Sequence, residues 1–561
     1  MRYRYVRTTP AMRNFPGDAD TLETITLRPG LPVGRRALLG LTLGLATATY
    51  GPPARADMPR RGGKMIFGRY QDATYLDPIM AQANADIWLL SNLFDNLVEL
   101  GSDAKVVLPG LATKWEISPD ARTVTFVLRE GVKFADGSLL TAEDIKFSLQ
   151  RAGDPTIGFW ASMLAAVKSI EIPDPGLLVL NLNNPAPALL PILSMYSFCV
   201  LPKNLIVAQP GNTVEDKIKH FMDHPIGSGP FVLGEWQRNQ VMRLKRNPYY
   251  WKTAADGKQL PYLDEVEFQL IPDDSTRILK LLAGEIHGAE LIPYARIKEL
   301  QDNPQLRVDL WPSTKRVFFV MNVRPTLKNG TANPLSDVRV RRALNYAVSK
   351  EAVIQVATAG IGTPMRSFLS ASVPLFYGPP QLYPYDPAKA KALLKEAGVA
   401  EGLQLSVLTL AGSLDEANAA VAVQQMWVQV GVELKIEQVE GATRNARWRV
   451  GDFQMRYFGG TDDVGDPTEA GASAAYYPHN ESRHSGWQDK RSDELYVASE
   501  QEPDSQKRAA QYKEMQEIFN AAAPMLFLYE APYPTAFRKN AKGFVQNPLG
   551  TNLFEVAYLE T

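Results

Sequence analysis

The sequence predicts an α/β fold of mixed sheets flanked by helices, on three observations. The 561 residues are 45 % apolar, 22 % charged and 9 % aromatic, the make-up of a packed globular protein and not of a disordered chain or a disulfide scaffold. Strand-type alternation and helix-type spacing are interleaved along the chain, which calls for α/β or α+β layers rather than a bundle or an all-β sandwich. The length exceeds the ~250 to 300 residues that one hydrophobic core holds, so more than one core is required.

Residues Thr123–Leu128 alternate, with Val124, Phe126 and Leu128 on one face, and Leu178, Leu180 and Leu182 repeat the pattern within 177–183. Asp136-Gly137 is a turn signal. Thr141-Ala-Glu-Asp144 opens a helix in which Thr141 is placed to cap the amide of Asp144, and Ile145 and Leu149 lie one turn apart. The polar stretch 215–224 predicts another helix. Asp337–Ile354 reads as one helix, with Val340, Leu344, Ala347 and Val348 on its apolar face. Asp386 and Pro387 start a further helix that Gly398 ends, and 432–439 alternate as a strand.

Residues 1–56 read as a cleaved export signal. Eight arginines stand there against three acids, followed by an uncharged run from Ala37 to Ala54. The apolar part, 37–49, is shorter than the ~20 residues of a membrane span, and Ala54-Arg55-Ala56 offers a cleavage site before Asp57. Arg35-Arg36 directly before the apolar run resembles a twin-arginine signal, with Gly34 where Ser or Thr is usual. No cysteine stands at the cleavage point for a lipid anchor, so a soluble periplasmic product is expected. The remaining chain carries 52 basic against 58 acidic residues, which argues for small-molecule partners and against nucleic acid or an anionic membrane. The one cysteine, Cys199, reads as a buried free thiol.

Four blocks then carry a resemblance. The first is Leu108-Pro-Gly-Leu-Ala-Thr-Lys-Trp-Glu-Ile-Ser-Pro-Asp120, continuing through 125–137 to 140–149; the second is Ile226-Gly-Ser-Gly-Pro-Phe231 with Glu235-Trp236 and Arg246-Asn-Pro-Tyr-Tyr-Trp251. Asp337-Val-Arg-Val-Arg-Arg-Ala-Leu344 and Asp386-Pro-Ala-Lys-Ala-Lys-Ala-Leu-Leu394 follow. In order and spacing they resemble the peptide-binding branch of bacterial extracellular solute-binding proteins, family 5, the receptors of ABC importers. The resemblance implies a two-lobed periplasmic binding protein clamp with a discontinuous first lobe. Residues 57–290 and 531–561 are expected in lobe I, with an extra subdomain inserted, and 291–530 in lobe II. It implies capture of a small peptide by hinge closure and delivery to an inner-membrane permease, by a monomer without cofactor.

Gly459-Gly-Thr-Asp-Asp-Val-Gly-Asp-Pro467 resembles the family stretch whose aspartate pairs with the amino terminus of a bound peptide. Counting back four from Pro467 gives Asp463, with Asp462, Thr461 and Gly460 beside it; a turn or helix-cap role for Asp462 or Asp463 is the structural alternative. Gly460 stands where peptide receptors often have Trp, so Tyr457 and Phe458 are the alternative pocket wall. Tyr75, Trp160, Trp427 and Trp487 are further aromatic candidates for apolar walls, core packing being the other reading of each. Arg444, Arg447, Arg449 and Lys315-Arg316 are candidates for a ligand carboxylate, or solvated charges.

Catalytic and metal alternatives find little. His220 and His224 stand at i and i+4 without the intervening Glu of a zincin, and His479 and His484 flank a polar loop. Gly227-Ser228-Gly229 misses the nucleophile-elbow spacing, and no phosphate-binding glycine loop is present. No catalytic or metal residue is therefore assigned. An opine, an oligosaccharide or a chelated metal such as nickel remains the alternative cargo, and an exported hydrolase or a periplasmic chaperone the alternative classes.

Overall fold

The computed structural model describes residues 59–211, 213–380, 383–399 and 401–560. The expected export signal, with its twin-arginine pair and expected cleavage point, lies outside the described residues. Three principal sheets organise the chain. The first has seven strands in the order 306–311, 533–538, 288–290, 64–69, 265–270, 241–246 and 231–237. It is mixed: Lys64–Arg69 runs parallel to both of its neighbours, and the outer pairs are antiparallel. The second has six, 363–364, 525–530, 316–321, 455–460, 403–410 and 432–439, with Leu403–Leu410 parallel to both flanking strands. The third, 112–117, 123–128, 177–182 and 167–171, is antiparallel throughout.

Local chemistry explains these elements. In Thr123–Leu128, Val124, Phe126 and Leu128 are buried and the residues between them are half-exposed, so one face of the antiparallel sheet meets the core. Helix Ala142–Ala152 starts in a capping box at Thr141: the Thr141 side chain takes the Asp144 backbone N–H, as expected, and the Asp144 carboxylate in return accepts from the Thr141 backbone N–H at 2.9 Å and from its hydroxyl at 2.6 Å. Asp386 accepts from the N–H of Lys389 at 2.9 Å and caps Pro387–Glu396. The single helix expected over Asp337–Ile354 is two, Val338–Tyr346 and Lys350–Thr358. Ser349 breaks it by accepting from the Ala352 N–H at 3.1 Å, which makes it the cap of a new helix.

The chain passes between the first two sheets twice, at 312–315 and at 531–532. The first crossing therefore follows Leu306–Trp311, which pairs along its length with Tyr533–Arg538. The two crossings are tied together: the Ser313 hydroxyl donates to the Ala531 carbonyl at 2.5 Å and accepts from the Lys315 N–H at 3.0 Å. Short, mutually bonded crossings are the anatomy of a hinge between two lobes.

Candidate functional site

The site is built on the loop that leaves strand Met455–Gly460 and enters helix Thr468–Ala475. Two buried arginine–aspartate pairs fasten it. Arg316 donates from Nη2 to Asp462 and from Nη1 to the Phe368 carbonyl, and the Asp462 N–H donates to Thr314 Oγ1 at 2.9 Å. At the other end Arg508 grips both oxygens of Asp466 at 2.7 Å, and Asp466 also accepts from the Thr468 N–H at 3.0 Å. Bidentate guanidinium–carboxylate pairs fix orientation as well as distance. The carboxylate between the anchors, Asp463, makes no ion pair among the described residues; its N–H donates to Glu469 Oε2 at 2.7 Å.

The loop reaches across to the first lobe. Val464 is fully buried in that lobe's core, and a Cβ on Gly465 would lie 2.5 Å from the Ala104 carbonyl oxygen and 3.0 Å from Leu100 Cδ1. The lobes are therefore closed on one another here. Between them lies a cavity of ≈ 110 Å³ that Asp463 lines from the second lobe, and Asn96, Tyr196, Tyr250 and Lys252 line from the first. Lys252 Nζ stands 2.8 Å from Glu99 and 3.3 Å from Glu555. The Tyr196 hydroxyl accepts from Trp160 Nε1 at 2.7 Å.

The electrostatics follow from burial. Burial first, and the charge of Asp462 second, push Asp463 up to about 7. Glu469 is driven well above the usual carboxylate range by burial and by both aspartates, and Asp462 is also raised by burial, against the pull of Arg316 and Arg483. Three carboxylates thus crowd a loop in which, among the described residues, Arg316 alone makes a direct ion pair with one of them. A cation entering the cavity beside Asp463 would supply the missing countercharge.

The structure separates the expected site residues. Asp463 faces the cavity, and Thr461 is half-buried beside the Tyr533 hydroxyl. Asp462 is a structural anchor, spent on Arg316. Phe458 stacks on Phe318 at 4.9 Å and lies over Gly460, where a Cβ would sit 2.5 Å from its ring, so the ring fills the room that a side chain at 460 would need. Tyr457 points to the opposite face of the strand and is buried against Phe319. Trp427 and Trp487 are corrected to core residues. Trp427 is fully buried with its Nε1 on the Leu344 carbonyl at 3.1 Å, and Trp487 packs edge-on to Phe519 at 5.0 Å. Tyr75 is half-buried outside the cavity wall, its N–H directed to Asp86.

The basic candidates are also accounted for. Arg444 pairs with Glu416 and Arg447 with Glu437 and Asp452, Arg449 is exposed, and Lys315 lies over the Tyr294 ring. His220 and His224 stack at 5.3 Å, and among the described residues no group of His, Cys, Asp and Glu is arranged to hold a metal ion. Cys199 is buried and donates to Asn96 Oδ1. Sequence reasoning missed the first-lobe wall. Tyr250 sits inside the Arg246–Trp251 block and Lys252 directly follows it, yet nothing local marks either as facing Asp463, whose chain position is far away.

Comparison with known proteins places this geometry. The chain is 30 % identical over 498 residues to the dipeptide-binding protein of Escherichia coli (strain K12), covering 83 % of this chain and 89 % of that protein. It is 28 % identical over 511 residues to the glutathione-binding protein GsiB of Salmonella typhimurium (strain LT2), covering 90 % and 94 %. Among solved structures, the ABC transporter-associated periplasmic binding protein DppA of Helicobacter pylori, in complex with peptide STSA, superposes with a TM-score of 0.74 at 26 % identity, over 90 % of this chain and 99 % of that one. Among the described residues no helix is long and apolar enough to cross a membrane. Residues 106–481 match the bacterial extracellular solute-binding proteins, family 5 Middle, and the two-lobed chain closed over Asp463 belongs to that family.

Proposed function

We propose that this protein is the exported substrate-binding component of an ABC importer, that it captures small peptides between its lobes, and that it hands them to a membrane permease without chemical turnover. One observation carries the reading: Asp463, a carboxylate without an ion pair among the described residues, lines a cavity whose other walls come from the first lobe. An α-ammonium held there makes a charge-assisted bond in a desolvated setting, and its contacts to both lobes favour the closed state over the open one. Relatives named for a dipeptide and for glutathione, and a related structure holding a peptide, support the cargo class.

The test is a thermal-shift and titration series on the 57–561 chain with di- and tripeptides and their amino-acetylated forms. Free-amino peptides at ~100 times Kd are expected to add about 2.7 kcal/mol of stability, and acetylated ones little. Stabilisation by opines or oligosaccharides alone would overturn the peptide assignment.

A further inference from the structure

The cavity beside Asp463 carries more negative charge than one ligand ammonium answers. Its charged lining is four carboxylates, Asp95, Glu99, Glu555 and Asp463, and one ammonium, Lys252. Lys252 is already spent: its Nζ lies 2.8 Å from Glu99 Oε2 and 3.3 Å from Glu555 Oε2. Among the described residues no other basic side chain lines the cavity. Asp95 is 5 % exposed and accepts from Trp251 Nε1 at 2.9 Å, a neutral donor that does not cancel its charge. Glu99 is the open member of the group. Its Oε1 receives no donor among the described residues, and its side chain is 27 % exposed. Burial pushes Glu99 up, Lys252 pulls it back, and Asp95 and Glu555 raise it again, to about 7, where Asp463 also stands. The group is close to the second-lobe loop: Leu100, next to Glu99, is where Gly465 meets the first lobe. Such a cavity repels an anionic group and lacks the second cation that would settle it.

A second group in the same wall is also unspent. Asn547 is 8 % exposed and lines the cavity. Its Oδ1 accepts from the N–H of Leu549 at 3.1 Å and of Thr551 at 3.0 Å, which fixes the orientation of the amide. The other end, Nδ2, donates to no group among the described residues. A buried amide donor left without an acceptor is costly, and an entering carbonyl oxygen removes that cost. The donor also bears on what kind of cation fits. A bare metal ion gains nothing from an N–H, and among the described residues no group of His, Cys, Asp and Glu is arranged to hold one. An organic cation that carries a carbonyl uses both features at once.

We propose that Glu99 and Glu555 form a second cation subsite across the cavity from Asp463, with Asn547 Nδ2 on a ligand carbonyl oxygen, so that the receptor selects solutes carrying two positive charges. Peptides with a lysine-type side chain are then preferred to neutral and acidic ones. This rests on reading the Asp463 cavity as the ligand site. It is tested on the 57–561 chain and its Glu99→Gln and Glu555→Gln variants, by calorimetric titration with Ala-Lys, Ala-norleucine, Ala-Glu and the acetylated forms of the first two. Cadaverine, a diamine with no peptide group, completes the series.

The wild type is expected to bind Ala-Lys at least ~tenfold more tightly than Ala-norleucine, which has nearly the same reach without the charge, and to bind Ala-Glu more weakly than either. In both variants the Ala-Lys preference should shrink to within ~3-fold, while the Kd of Ala-norleucine stays within ~3-fold of the wild-type value. That unchanged neutral ligand is what a merely structural role would not give, and where one variant fails to fold the other reads the same ratio. Equal binding of Ala-Lys and Ala-norleucine by the wild type, or a preference that survives in both variants, overturns the proposal and leaves the peptide reading standing. Loss of Ala-norleucine along with Ala-Lys in both variants also overturns it, because the glutamates would then be structural. Cadaverine separates the two readings. Binding of cadaverine by the wild type, weakened at least ~tenfold in the variants and with no peptide bound, sustains the cation subsite and removes the peptide cargo. Binding of neither cadaverine nor any peptide removes the subsite. A preference for acetyl-Ala-Lys over acetyl-Ala-norleucine as large as that of the free peptides, with no loss on acetylation, sustains the subsite and removes only the role of Asp463.

Discussion

Replacing Asp463 by Asn keeps the shape of the side chain and removes its charge. The structure gives that charge an unusual setting: no ion pair among the described residues, a carboxylate pushed up to about 7 by burial and by Asp462, and a ≈ 110 Å³ cavity walled by the other lobe. A ligand ammonium seated there is desolvated, so the substitution leaves it opposite a neutral amide, at a cost of ~2 to 5 kcal/mol. That is a loss of ~30-fold to several thousand-fold in Kd. The same crowding predicts the opposite sign for the empty protein. Asp463→Asn removes one of three mutually repelling carboxylates, so ligand-free Tm above pH 7 should rise. Titration calorimetry with free-amino and acetylated peptides, alongside thermal denaturation, reads both effects. Kd for free-amino peptides within ~3-fold of wild type, together with a lower ligand-free Tm, would refute the reasoning.

The pH dependence should split in the same way. The folded value of Asp463, about 7, lies above its ordinary value of 3.8, so this group destabilises the empty protein as pH rises from about 4 to 7. Affinity for an ammonium ligand should run the other way, falling by up to ~tenfold per pH unit below 7; a flat affinity profile from pH 5 to 8 would count against it. Asp466→Ala removes the bidentate partner of the buried Arg508 guanidinium and leaves it Glu500 at 3.6 Å, so urea denaturation should show a loss of ~3 kcal/mol. Gly465→Ala sets a methyl 2.5 Å from the Ala104 carbonyl oxygen. It should leave the ligand-free Tm near wild type while abolishing ligand-induced compaction in small-angle scattering, and unchanged compaction would show that the loop contact is not part of closure.

Much of this molecule is written locally. Alternation in Thr123–Leu128 and in 432–439 records a strand with one buried face, and Asp386-Pro387 with Gly398 records a helix start and stop, because those signals depend on neighbours within one turn or one pleat. The Gly-rich loop ending in Gly465-Asp466-Pro467 is likewise legible. Other features come from distant partners. Ser349 divides a continuous apolar face into two helices once its side chain caps the second. The hinge falls after 306–311 because that strand finds its partner at 533–538, far along the chain. Asp462 and Asp463 are adjacent and chemically alike; Arg316, 146 residues from Asp462, claims one and leaves the other facing the cavity.

The sequence by itself determined the fold class, the caps, the lobed family pattern and the loop that carries the ionisable group. The tertiary structure alone decided which aromatic residues are core, as Trp427 and Trp487 are, and which first-lobe side chains meet Asp463. The physical reason is that periodicity and capping encode whether a residue is buried, whereas function here depends on what it is buried against, and ion pairing and lobe closure set that across hundreds of residues.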